Sequence, residues 1–60
     1  MTKKEEIMLK LILGMGRANE TLYLNYQHHM IKIAEAIEQE DLTYAEALTD
    51  AICKEIDKRG

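Results

Sequence analysis

The sequence Gly14-Met15-Gly16-Arg17 decides the fold, because it interrupts an apolar stripe that otherwise predicts one long helix. Residues that favour helices dominate the chain, and it contains no proline. Each glycine weakens a helix by up to about 1 kcal/mol relative to alanine. The spacing of the apolar residues nevertheless carries through both glycines without a change of phase. The pattern therefore favours a continuous helix, with a break into two helices as the alternative.

The apolar stripe on either side of the glycines fits one face of a helix. It begins after Thr2-Lys3-Lys4-Glu5, a capping box in which the Thr and Glu side chains pair with backbone amides. It ends at Glu38-Gln39-Glu40-Asp41, because carboxylates at a helix C-terminus oppose the helix dipole. The members of the stripe are Met8, Ile12, Met15, Leu22, Tyr26, Met30, Ile33 and Ile37.

A second, shorter helix is predicted after this acidic turn. Thr43-Tyr44-Ala45-Glu46 repeats the capping-box signature. The apolar residues that follow share one helical face, namely Ala45, Leu48, Ile52 and Ile56. The sequence thus predicts one all-α domain over residues 1–60, with a helix at about 3–39, a turn at about 40–43 and a helix at about 44–58. This fold is a helical hairpin with a long and a short helix, and a compact three-helix bundle is the alternative.

The most apolar segment is Ile7–Met15, with seven hydrophobic residues in nine positions. In the hairpin, the second helix would be roughly 24 Å long and could not reach it. A 60-residue chain with one cysteine has no internal disulfide, so assembly with other chains is the expected source of stability. We therefore expect a homodimer in which two hairpins form a four-helix bundle. Its predicted interface comprises Ile7, Met8, Leu9, Leu11, Ile12, Leu13, Met15, Asn19, Leu24 and Ile31.

Two features of the sequence favour this interface. Leu9, Leu13, Leu24 and Ile31 cluster about 100° from the main stripe, where a helix with a single packed face should be polar. Exposed apolar patches mark association surfaces, although scattered surface leucines are common. Asn19 lies on the stripe itself, where a single polar residue can fix the register of a helix seam.

Motifs for catalysis, metals and cofactors are missing from the sequence. His28 and His29 are adjacent and point about 100° apart on a helix, so they do not chelate one ion together. The chain has no serine, and Cys53 has no evident base. Gly14-x-Gly16 lacks the other residues of a phosphate-binding loop, and close packing of a neighbouring helix explains it better. We expect no enzymatic activity, no cofactor and no metal.

Charge is distributed unevenly along the chain. The formal net charge is −3, and residues 33–53 include no Lys or Arg. In the hairpin, the turn becomes a negative pole that steers association with a basic surface. The predicted partner-binding residues of this acidic tip are Glu35, Glu38, Glu40, Asp41 and Glu46.

These features predict an interaction protein, a small regulator or inhibitor that binds a larger protein with a basic surface. Size and charge resemble those of inhibitors encoded by phages and mobile elements, which is an analogy only. A dimeric helix-turn-helix DNA-binding regulator is the alternative, but Lys3, Lys4, Lys10 and Arg17 form a thin basic set.

The expected location is the cytoplasm. The longest apolar run, Ile7–Met15 with Lys10 inside it, is far shorter than the roughly 20 residues of a membrane span. A single cysteine also suits a reducing compartment. We therefore expect no association with membranes.

Overall fold

A computed structural model describes residues 1–59. Four helices follow one another along the chain: α1 (Lys3–Gly16), α2 (Glu20–Asn25), α3 (Gln27–Glu38) and α4 (Leu42–Arg59). Helix accounts for 85% of the described residues, and none of them forms a strand. The all-α prediction is confirmed. The capping box at the start of α1 is also confirmed, since the Glu5 amide donates to Thr2 Oγ1 at 3.2 Å and the Thr2 amide donates to Glu5 Oε1 at 3.0 Å.

The predicted continuous helix over residues 3–39 is wrong, because α1 ends at Gly16. The amides of Arg17 and Ala18 donate to the carbonyl oxygens of Gly14 and Met15, each at 3.1 Å, which tightens the last turn. Asn19 then begins α2, with its side-chain oxygen accepting from the Leu22 amide at 2.9 Å. Asn19 therefore caps a new helix, and it does not lie in a helix seam.

The turn between α3 and α4 reverses the chain at Gln39, Glu40 and Asp41. The Asp41 amide donates to Ala36 O at 2.8 Å and the Glu40 amide donates to Ile37 O at 3.1 Å, the two bonds of a Schellman motif. Asp41 then caps α4, with its Oδ1 accepting from the Tyr44 amide at 3.4 Å. The predicted capping role of Thr43 is wrong, because Asp41 takes the capping position and α4 begins at Leu42.

The three longer helices form a compact bundle in which α4 packs against both α1 and α3. Lys3 pairs with Glu46 and Arg17 pairs with Asp57, so α1 and α4 run in the same direction. Since the short turn makes α3 and α4 antiparallel, α3 is also antiparallel to α1. The bundle is therefore the compact three-helix arrangement that the sequence offered as its alternative, with α2 as a short link.

The core lies where α4 crosses the other two helices. Its most deeply buried side chains include Ile7 of α1, Ile33 of α3 and Ile56 of α4, with 0%, 0% and 1% exposure. The complete cluster is Ile7, Met15, Ile33, Ala36, Ala45, Ile52 and Ile56. The expectation that the second helix could not cover Ile7–Met15 is thus wrong, because the break at Gly16 folds α1 back alongside α4.

Candidate interaction surface

An apolar groove lies between α1 and α3. Its deeper part has a volume of about 320 Å³, and a neighbouring hollow of about 290 Å³ shares Met8 and Ile12 with it. We call the two together the apolar groove. Its walls are formed by Met1, Glu5, Met8, Leu9, Leu11, Ile12, Ile33, Ala34, Ile37 and Glu38. Apart from Met1, which precedes the first helix, every wall residue belongs to α1 or α3, so α4 leaves this side of the bundle open.

The outer face of α1 makes the groove apolar. Helical periodicity turns Ile7, Leu11 and Gly14 towards the core, and it turns Leu9, Ile12 and Leu13 outwards. Ile12 remains 64% exposed, which is unusual for an isoleucine in a helix that already packs against α4. A contiguous apolar surface of this kind marks a site of association.

The two charged side chains in the walls of the groove are both acidic. Glu38 lies at the α3 wall, and Glu5 lies near the start of α1. The Thr2 amide hydrogen bond holds the pKa of Glu5 below its usual value, so this carboxylate is ionised at neutral pH. The groove therefore combines an apolar floor with a negative rim.

The cations of α1 are directed elsewhere, into ion pairs with the α3–α4 turn and with α4. Hydrogen bonds from Lys4 and Lys3 hold the pKa of Glu40 and of Glu46, respectively, below the usual value for a carboxyl group. These ion pairs are Lys3 with Glu46, Lys4 with Glu40, Lys10 with Glu46 and Asp50, and Arg17 with Asp57. Because each cation already has a carboxylate partner, α1 adds little positive charge to the groove.

The residues predicted as an oligomer interface fall into two groups. Exposed ones are Met8, Leu9, Ile12, Leu13, Leu24 and Ile31. Ile7 and Met15 are buried in the core, Leu11 packs against it, and Asn19 caps α2. The three core residues were misplaced because the prediction assumed a helix that α4 could not cover, and Asn19 because the helix was expected to continue past Gly16.

The predicted acidic tip is dispersed in the structure. Glu40 and Glu46 are neutralised by lysines of α1, and Asp41 caps α4. Glu35 and Glu38 form no ion pair within residues 1–59. The folding back of α1 brings its lysines beside the turn, so the negative pole predicted for the hairpin does not form.

Five wall residues of the groove were not predicted to belong to a binding surface. Glu5 was assigned only to the capping box, Ile33 and Ile37 only to the main stripe, and Met1 and Ala34 to no feature. These residues could have been predicted only from the placement of α3 beside α1. That placement follows only if Asn19-Glu20 is interpreted as the start of a new helix, with a capping Asn and an acid in its first turn.

Other kinds of site were also sought in residues 1–59. No group of three or more His, Cys, Asp or Glu side chains is placed to hold a metal ion in that range. Within the same residues, no helix has the length and apolar character to cross a membrane. Comparison with known proteins found no matching family model, curated protein or solved structure. The apolar groove and its acidic rim are thus the features from which a function can be inferred.

Proposed function

We propose that the chain is a non-enzymatic interaction protein, a small regulator or inhibitor that binds a larger protein and modulates its activity. The observation that supports this proposal is the apolar groove, in which Met8 and Ile12 remain 48% and 64% exposed beside a completed core. Burying apolar surface yields about 25 cal/mol per Å², so a partner that covers the groove gains free energy. The partner is a protein with a basic surface, which suits the net charge of −3 and the acidic rim.

The alternative of a DNA-binding regulator has less support. Phosphate contacts need Lys and Arg side chains that reach outwards, whereas the three lysines of α1 and Arg17 are held by carboxylates. A DNA shift assay at low and high salt separates the two functions. Salt-sensitive binding to DNA would favour the alternative.

Self-association is a second candidate, supported by the outer flank of α1. Leu9 and Leu13 are 43% and 56% exposed there, and Gly16 has open space around it. This flank shares Leu9 with the walls of the groove.

Affinity capture with three forms of the tagged chain tests the interaction function. Ile12→Asp places a charge in the groove, and Leu24→Asp places the same charge at an equally exposed apolar residue outside it. We expect wild type and Leu24→Asp to retain the same partner and Ile12→Asp to lose it. Identical sets of captured proteins from all three forms would contradict a function of the groove.

A further inference from the structure

We propose that the occupant of the apolar groove is an amphipathic helix whose apolar residues are flanked by Lys or Arg. This inference rests on the proposed function and specifies the partner's chemistry. It is drawn from the shape of the groove and from the sign of the charges along its walls.

The shape of the groove suits a helix. Its walls are the antiparallel helices α1 and α3, and a further helix laid between them would extend the bundle in the ordinary way. Helices that bind such grooves insert apolar side chains at spacings of three, four and seven residues. The deeper part of the groove, between Ile12 and Ala34, provides space for one such side chain. The hollow beside Met1 and Leu9 provides space for another.

The charges of the walls select a basic helix over an acidic one. Glu5 and Glu38 belong to opposite walls, and the side chains of the other wall residues are uncharged. Nearby Lys4 is neutralised by Glu40 at 2.8 Å. A bound helix with cations on both flanks would place them beside these carboxylates, whereas acidic flanks would meet like charge.

A second copy of the chain suits the groove less well. The exposed apolar ridge of α1 is its best candidate to fill the groove, and the charged residues on that ridge are Glu5 and Glu6. Inserting it would bring carboxylates of one copy towards Glu38 of the other. The α1 cations that could compensate are already paired with α4 and the turn.

Three synthetic helical peptides of about 18 residues, or five turns, provide the test. They share one face of Leu and Ile, and their flanks carry Lys and Arg, Gln, or Glu. Fluorescence anisotropy with the full chain measures each affinity. We expect the basic peptide to bind at least about tenfold more tightly than the acidic one, and the difference to shrink as salt shortens the Debye length.

Three variants connect the binding to the groove. Ile12→Asp should abolish binding of the basic peptide, and the control Leu24→Asp should leave it unchanged. Glu38→Lys removes one wall carboxylate and adds a cation, so it should weaken the basic peptide and strengthen the acidic one. Circular dichroism of each variant confirms that the helices persist, since all three side chains are exposed.

Several results would overturn the inference. Equal affinities for the three peptides would mean that the groove does not select charge, although the proposed function would stand. If no peptide binds while affinity capture still depends on Ile12, the basic helix is excluded as the occupant and the proposed function again stands. Self-association that Ile12→Asp abolishes would identify a second copy as the occupant. Binding to phosphatidylcholine vesicles that Ile12→Asp abolishes would identify a lipid surface instead.

Discussion

Gly14 of α1 lies so close to Cys53 of α4 that a Cβ atom at residue 14 would overlap the Cys53 sulfur. The Cys53 thiol donates to the Lys10 carbonyl oxygen at 3.5 Å, so it occupies the space beside the glycine. Burial raises the pKa of this thiol, which keeps it protonated at neutral pH. Close packing on Gly14, predicted from the sequence, is confirmed, whereas Gly16 has no neighbour within 4 Å of the equivalent position.

The two glycines should respond in opposite ways to alanine. Gly14→Ala forces α1 away from Cys53 and should lower the free energy of unfolding by about 1–3 kcal/mol. Gly16→Ala adds a methyl group in open space and should raise it by up to about 1 kcal/mol, because alanine favours the helix. Urea titrations measure both. A Cys53→Ala background should remove most of the Gly14→Ala penalty, and an unchanged penalty there would show that the sulfur is not its cause.

Thr49 is predicted to be a site where a small change stabilises the protein. Its side chain is fully buried in α4, and its hydroxyl oxygen has no hydrogen-bond partner. Replacing the hydroxyl with a methyl group removes an unsatisfied polar atom, so Thr49→Val should raise the free energy of unfolding by about 1 kcal/mol. Thr43→Val, at an exposed position of the same helix, is the matched control. A loss of stability in Thr49→Val would show that the hydroxyl is satisfied in solution.

Glu40 adopts a backbone conformation that glycine prefers, with φ at 65°. A left-handed conformation costs a residue with a Cβ atom about 1 kcal/mol. Both Glu40→Ala and Glu40→Gly remove the ion pair with Lys4. Alanine still has the cost of the left-handed conformation, whereas glycine does not. We therefore expect Glu40→Gly to be more stable than Glu40→Ala by about 1 kcal/mol in thermal unfolding. Equal stabilities would mean that the turn relaxes around either residue.

Acid should weaken the ion pairs between α1 and the rest of the bundle. The pKa of Glu40 and of Glu46 is lowered in the folded chain by hydrogen bonds from Lys4 and Lys3. Carboxylates with a lowered pKa stabilise the fold above their unfolded value of about 4, and this contribution disappears as the pH falls through the folded value. The melting temperature should therefore decrease from pH 5 towards pH 3. Glu46→Gln should flatten this decrease, and an unchanged slope would assign the effect to other groups.

Much of the fold follows from local patterns in the sequence. The capping box at Thr2 and the buried face of α4 with Ala45, Ile52 and Ile56 were predicted, because both depend on residues close in the chain. The break after Gly16 was only the alternative, because the apolar register is the same for one long helix and for two. The break is stabilised by a helix cap, because the Asn19 side chain accepts a hydrogen bond from the Leu22 amide at the start of α2.

The candidate site was predicted only in part, for a related reason. Met8, Leu9 and Ile12 were identified as association residues from their spacing alone. The sequence does not show which charges become neighbours, and Lys4 and Glu40 are 36 residues apart along the chain. Once α1 folds back, that pair neutralises Glu40, whereas Glu38 remains at the groove without an ion pair in residues 1–59.

The homodimer stays a prediction, and its remaining support lies in the outer flank of α1. Leu9 and Leu13 are exposed there, although Ile7 and Met15 beneath them are covered. We expect sedimentation to detect a reversible dimer at micromolar concentration. Leu13→Glu should shift it towards monomer, because burying an unpaired carboxylate among leucines costs several kcal/mol. Tyr44→Glu, at a similarly exposed position on α4, is the control and should leave the equilibrium unchanged. A 6.9 kDa monomer at every concentration would contradict the dimer.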